Sequence, residues 1–444
     1  MLDFSTLTVE AAGGYVGLER RQGRAVLRLP YHLSHLEREP VRALAMLYKV
    51  LGVFRTTDKA AGRLAPVDGI EHNGASARGT RDEGVSFHDT LGLEALFQAF
   101  DPLGLLSLVE RRGRTSRVDY GKLHRHLHRA VYLDDGAPFV EYASGPRREL
   151  RLAAHDLVGL YCFVAGDFYT GFLGLAPEQA WGDFSGEALA QAADFRHRFL
   201  HADSGLFGGD AFVATDTRER LREILFRIER QTPFKSQVFL TLFDGLRRYL
   251  EQGWLADRDD GMVWGIGDFW SVWESACLAH ALARHAPGDI FTCDYQHLPA
   301  ALLTREREQA WQASREAVFA RNEYRRRPDL VVRRDGGYRI ADFKYYAELA
   351  ARRPKPDGAA SAKQVADFDN IELYGLLLRD HLHRTGQPGA ARVALEFWLP
   401  AAARHERAFT RAPAWSPPLR VVGQPVAALL DDYAKLFRVQ PARR

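Results

Sequence analysis

Two short apolar runs near the start, YVGLE and AVLRL within residues 13–30, flank Gln22-Gly23 and predict a pair of strands around a turn. Pro40 then opens a helix that carries Val41, Leu44, Leu47, Tyr48 and Leu51 on one face. Residues 56–84 are rich in Gly, Asp and Thr and have no period, which predicts a long loop or an insertion. Residues 105–142 are mixed, with a strand expected at AVYL (130–133). From about residue 150 the spacing turns helical. Thr217 is a candidate cap for a helix bearing Leu221, Ile224, Leu225 and Ile228. The next helix shows Val238, Phe239, Leu242, Phe243, Leu246 and Tyr249. After a break at DRDDG (257–261) the chain alternates helix and strand. Three segments follow: a mixed, β-rich 1–150, a helical 151–261 and an α/β domain over 262–444.

The densest chemistry lies in RPDLVVRRDGGYRIADFKYY, residues 327–346. Asp335-Gly336-Gly337 is a turn signal between two β-rich runs, so the stretch predicts a hairpin. Asp329 opens the first strand, and Asp342 and Lys344 lie two apart on the second. Strand alternation puts Asp342 and Lys344 on one face and turns Phe343 to the other, leaving its carbonyl free as a ligand. A carboxylate inside the apolar run IADF is costly unless something pairs it. Two carboxylates about 4–5 Å apart repel by roughly 3–4 kcal/mol at an effective dielectric near 20. A divalent cation reverses that sign, and hard oxygen donors suit Mg²⁺ or Mn²⁺. Beside such an ion Lys344 could orient or deprotonate a water, or neutralise a pentavalent phosphorane, which is the chemistry of phosphodiester hydrolysis.

Upstream, GIGDFWSVWESACLAHALA (265–283) is apolar around nearly its whole circumference and predicts a buried helix. Glu274 is its one acid between Phe269 and Ala283. Downstream, KQVADFDNIELYGLLL (363–378) predicts a helix with Gln364, Asp367, Asn370, Ile371 and Tyr374 on one face, and RVALEFWLP (392–400) a further strand. Each side chain also has a plain structural reading, a paired core glutamate or an ordinary amphipathic face.

Pro328-Asp329 followed by Asp342-Phe343-Lys344 resembles the motif of the PD-(D/E)XK nuclease superfamily. The resemblance implies a restriction-endonuclease-like α/β fold, with Asp329, Asp342 and Glu274 as metal ligands and Lys344 as the catalytic lysine. It also implies an auxiliary Gln and Tyr four residues apart. Here Asn370 stands in the Gln position and Tyr374 is kept. Over the whole chain, an RTS stretch before YLDDG (114–136), a helical middle, FWSVWE and DFKYY together resemble the LlaJI- and McrC-type restriction subunits. Those are nuclease partners of AAA+ motors.

Composition narrows the picture without deciding it. The 444 residues suffice for two or three domains, and 46% hydrophobic with 26% charged residues excludes global disorder. Three cysteines without a C-x-x-C pair argue against a disulfide framework or a thiolate zinc site and suit a reducing cytoplasm. The start, MLDFSTLTVE, lacks a signal-peptide pattern. The most apolar stretch, 157–176, holds Asp167 at its centre, at a cost of roughly 2.5–3.5 kcal/mol in a bilayer, so a buried soluble segment is expected. A net charge of +3 does not by itself indicate nucleic acid. Only 8 of the 60 basic residues are lysines, so a lysine in a structured place is informative. Arg325, Arg326 and Arg327, beside the hairpin, are the candidate DNA contacts. The histidines of HRHLHR (124–129) read as a basic face. No G-x-x-x-x-G-K-[ST], G-x-S-x-G or H-E-x-x-H is present.

The expectation is therefore a Mg²⁺- or Mn²⁺-dependent DNA endonuclease subunit of a prokaryotic restriction or antiphage system. Its expected partners are DNA and a separate McrB-like AAA+ NTPase, with no membrane association; self-association is left open. The rival readings are a non-catalytic DNA-binding or scaffold subunit with a decayed site, and a repair or transposition nuclease.

Overall fold

The computed structural model describes residues 7–11, 14–22, 24–63, 87–89, 96, 101, 104–105, 108, 127, 130–139, 146–207, 211–232, 235–252, 261–267, 269–321, 324–334, 336–347, 359–386, 392–408 and 419–438. The chain forms two compact units, one containing Asp89–Arg258 and the other containing Leu7–His88 with Asp259–Phe437. The units therefore do not follow the consecutive segments 1–150, 151–261 and 262–444. The N-terminal strands belong with the C-terminal half because backbone pairing joins them.

That pairing is a mixed five-stranded sheet. Strand β1 (Thr8–Ala11) runs parallel to β3 (Arg24–Leu29), and β2 (Val16–Arg21) pairs antiparallel with β3 and with β5 (Gly261–Ile266). The short β4 (Phe87–Asp89) lies beyond β5. Gln22 supplies the positive φ of the β2–β3 turn. Gly17 and Gly265 face one another across the ladder with φ of +142° and +144°. A Cβ on Gly17 would lie 2.2 Å from the Trp264 carbonyl oxygen, so the crossing requires glycine. Helix α1 (Pro40–Phe54) starts at Pro40 as expected; Leu44, Leu47 and Leu51 are buried and Tyr48 stacks on Trp264, whereas Val41 is exposed.

The second sheet has six strands. Its order is β10 (His405–Ala408), β11 (Leu419–Pro425), β9 (Val393–Ala401), β8 (Gly337–Phe343), β7 (Leu330–Arg334) and β6 (Ile290–Cys293). Strands β6, β7 and β8 pair antiparallel in turn, while β8, β9 and β11 are parallel. The β7–β8 hairpin turns through Gly336 at φ +70°. Parallel neighbours need a crossover, and β8 reaches β9 through the 26-residue helix α4 (Ala359–Arg384). Helices α2 (Trp270–Arg284), α3 (Arg305–Phe319) and α5 (Val426–Ala434) complete the unit. The core packs Val331, Ile340, Leu395 and Phe397 against Phe368, Ile371 and Leu378 of α4 and Val318 and Phe319 of α3. Burying each large side chain contributes roughly 1.5–3 kcal/mol.

Two boundaries differ from the sequence reading. The stretch 265–283, expected as one helix, begins inside β5 and is helical only from Trp270. An all-apolar run has no period to separate buried strand from buried helix. Helix Ala211–Gln231 starts six residues before Thr217, which is buried within it and is not its cap.

In the other unit, helix Pro146–Gly166 runs into a π-helical segment, Asp167–Phe172, and helices Ser185–Phe199, Ala211–Gln231 and Gln237–Gln252 follow. The Asp167 carboxylate accepts the Leu206 N–H, which gives the acid within 157–176 a partner. Strands Val131–Tyr132 and Pro138–Phe139 form a small hairpin around YLDDG. Among the described residues no helix is long and apolar enough to cross a membrane. The RTS stretch, His124, His126, His128 and residues 64–86 lie outside the described residues.

A fragment of residues 262–444 is expected not to fold. It would lose the β2 partner of β5 and helix α1, whose Tyr48 packs on Phe437. The check is near-UV circular dichroism and dye binding against the full chain. A cooperative thermal transition in the fragment would refute the pairing as a requirement.

Candidate functional site

The hairpin, helices α2 and α4 and the loop after β6 bring the candidate residues to the carboxyl end of β8. Asp342 lies opposite Phe397 of β9 and is buried. The assigned strand ends at Phe343, but the Lys344 N–H still donates to the Trp398 carbonyl at 3.0 Å. The ladder geometry therefore persists for one more residue and keeps Asp342 and Lys344 on one face. Lys344 Nζ lies 3.0 Å from Asp342 Oδ2. Helix α4 supplies a second carboxylate, with Asp367 Oδ1 at 3.2 Å from the same ammonium. The Tyr346 hydroxyl donates to the other Asp367 oxygen.

Asp329 stands just before β7. Its carboxylate accepts the Phe343 N–H, and its carbonyl accepts the Asp294 N–H at 3.0 Å. The Phe343 side chain is buried against Trp398 on the opposite face. Glu274 comes from α2, and its Oε2 lies 3.3 Å from Nε2 of the buried His297. Asp294 Oδ2 is 3.8 Å from the same nitrogen. The His297 carbonyl accepts a hydrogen bond from Ser275 Oγ at 2.6 Å, which ties α2 to the loop carrying the imidazole.

Charge is poorly balanced here. Burial raises the pKa of Asp329 well above the usual carboxylate range, and Asp342 and Glu274 raise it further. Burial also raises Asp342, against the opposing pull of Lys344. Glu274 is pushed up to about 8 by burial, with Lys344 lowering and Asp342 raising it. For Lys344 burial works against the ammonium, but Asp342, Asp329 and Asp367 override it and hold its pKa well above the ordinary value. The buried Asp342 and the half-buried Asp329 and Glu274 thus share the Lys344 ammonium with Asp367, and Lys59 adds a weaker positive influence on Glu274.

Among the described residues no three His, Cys, Asp or Glu side chains are grouped to hold a metal ion as they stand. The conformations explain why, since Asp342 is turned to Lys344 and Asp329 to the Phe343 N–H. The donor set nonetheless fits Mg²⁺ in kind. It consists of hard carboxylate oxygens whose mutual repulsion a divalent cation would relieve.

The other expected residues are divided. Tyr374 is buried and packs edge-on to Phe319; burial raises its phenol pKa, and the charges of Asp342 and Asp329 add to that. Gln364 is half-buried. Asn370 is exposed and does not share the inward face of α4. It lies about 60° around the helix from Asp367, on the solvent side, and Asp367 takes the inward polar position. Arg326 is half-buried, while the exposed Arg327 donates to Gln296 Oε1 at 2.7 Å. The Arg325 side chain lies outside the described residues.

Sequence reasoning put Asp367 on the right face but gave it no role, and it passed over Tyr346, Asp294 and His297. Tyr346 had a readable signal, two residues beyond Lys344 in the same alternation. Asp294 and His297 had none, because only the β6–β7 pairing brings their loop beside Glu274. No protein-family model, curated protein or solved structure matches this chain.

Proposed function

We propose that this chain is a Mg²⁺-dependent DNA endonuclease subunit of a prokaryotic restriction or antiphage system, of the LlaJI/McrC type, working with a separate AAA+ NTPase. The observation that carries the reading is the meeting of Glu274, Asp329, Asp342 and Lys344 at one end of β8. The order α2–β6–α3–β7–β8–α4–β9, with β6, β7 and β8 antiparallel neighbours and β9 parallel to β8, supports a PD-(D/E)XK arrangement. Asp329, Asp342 and Glu274 would hold the cation, which supplies Lewis acidity toward a phosphodiester. The residues of this chain do the rest. Lys344, fixed between Asp342 and Asp367, presents positive charge where the phosphoryl group gains negative charge. The His297 imidazole sets the direction of the Glu274 carboxylate. Arg326 and Arg327 lie just before Asp329 in the chain, where they can meet the DNA backbone. The competing scaffold reading draws on the absence, among the described residues, of a closed ligand group.

The test is plasmid cleavage by the purified full chain, with and without a McrB-type NTPase, nucleotide and Mg²⁺. Cleavage is expected only in the complete mixture and is expected to stop with EDTA. Site-specific cutting with Mg²⁺ alone would remove the motor from the proposal, and no cutting in any mixture would favour the scaffold. Within the same assay Asp367→Asn is expected to slow single-turnover cleavage about tenfold, the scale of one charge-assisted hydrogen bond. A rate equal to wild type would show that Asp342 alone positions Lys344.

A further inference from the structure

On the side of α2 away from Glu274 a cavity of about 430 Å³ opens between α2, α3 and α5. Ala283 on its wall is about 180° around the helix from Glu274. Its volume falls in the range of small-molecule sites. Part of the wall is apolar, with Ile290, Leu302 and Leu429 contributing. The polar part is basic: Arg284 and His285 follow His280 along α2 and its end, and Arg307 projects from α3.

Three features single this cavity out. His280 is only 6% exposed, lines the cavity and has no hydrogen-bond partner for Nε2. Burial pushes its pKa down to about 4, with Arg284 adding to the effect, so it offers a neutral imidazole. Second, neither Arg284 nor Arg307 takes part in a salt bridge among the described residues. Third, the one carboxylate on the wall, Asp432, is already paired with Lys435 at 2.7 Å, and the Tyr433 hydroxyl is already bonded to Ser275. Two guanidiniums outside any ion pair, of which Arg284 acts on Asp432 only at longer range, with one open imidazole nitrogen call for a compact dianion, and guanidinium forks match phosphate oxygens.

We propose that this cavity binds an organic phosphomonoester of about mononucleotide size, its phosphate between Arg284 and Arg307 and its apolar body against Ile290, Leu302 and Leu429. The site is separate from the carboxylate cluster and does not depend on the nuclease reading.

The test is isothermal titration of the full chain with thymidine 5′-monophosphate in EDTA, with thymidine and inorganic phosphate as separate arms. The nucleotide is expected to bind at least about tenfold more tightly than either part alone, because both the charged and apolar walls contribute. The double variant Arg284→Ala/Arg307→Ala is expected to weaken nucleotide binding by at least about tenfold. Arg284 is exposed and Arg307 half-buried, so the fold should survive, and circular dichroism checks it. The conservative Arg284→Lys/Arg307→Lys variant should recover part of the affinity. Absence of binding, equal affinity in the alanine variant, or thymidine binding as well as its phosphate would each overturn the site. Inorganic phosphate binding as tightly as the nucleotide would overturn the organic ligand.

Discussion

Asp342→Ala protein is expected to show no Mg²⁺-dependent DNA cleavage and to melt at a temperature no lower than wild type. The first half follows from the proposed site, where Asp342 contacts Lys344 and its charge acts on Asp329 and Glu274. Removing a ligand oxygen from the cation and one anchor from the lysine should cost at least about three orders of magnitude in rate. The second half follows from electrostatics. Asp342 is buried with its pKa raised, so its ionised form is held at a cost to stability. Deleting it relieves Asp329 and Glu274, whose pKa values its charge raises. Lys344 keeps Asp367 as a partner, so the ammonium is not stranded. A third readout needs no activity. Mg²⁺ should raise the melting temperature of wild type by relieving the same repulsion, and should do so much less in the variant. Retained cleavage by Asp342→Ala would falsify the ligand assignment, and an equal Mg²⁺ shift in both proteins would place the ion elsewhere.

Lys344→Arg should bind DNA and metal yet lose at least about two orders of magnitude in single-turnover rate. Lys344 is largely buried, with its ammonium 3.0 Å from Asp342 and 3.2 Å from Asp367. A guanidinium is planar and broader than an ammonium, so it cannot occupy that point between two carboxylates without moving one of them. Charge is conserved while position is lost, which makes the swap a test of geometry. Lys344→Ala would instead leave Asp342 and Asp367 without their shared cation and should destabilise the fold as well. A Lys344→Arg rate within a factor of a few of wild type would show that only the charge at this position matters.

The hairpin was the most legible part of the protein. Its turn residues, its strand alternation and the lone polar residue in IADF all pointed the same way, and the Asp342–Lys344 contact follows from period-two geometry alone. Glu274 was legible as one acid in an apolar helix, although the strand–helix break before Trp270 was not. The face that helical spacing gives α4 is one position wider than its buried face, because Asn370 is exposed. Helical spacing admits both Asp367 and Asn370, and only packing against β8 and β9 shows which of them turns inward.

Local pattern by itself determined the β2–β3 and β7–β8 hairpins, α1 from its first residue, and the pairing of an acid with a lysine on one strand face. These depend on dihedral preferences and on periods of two and 3.6, which act over a few residues. Tertiary structure alone decided that residues 7–88 and 259–437 are one unit, through the Gly17–Gly265 crossing and the Tyr31–Tyr345 contact. It alone brought His297 to Glu274 and Asp367 to Lys344. Such meetings join residues tens to hundreds of positions apart, and their energy comes from burying one surface against another. No short window of sequence contains both surfaces.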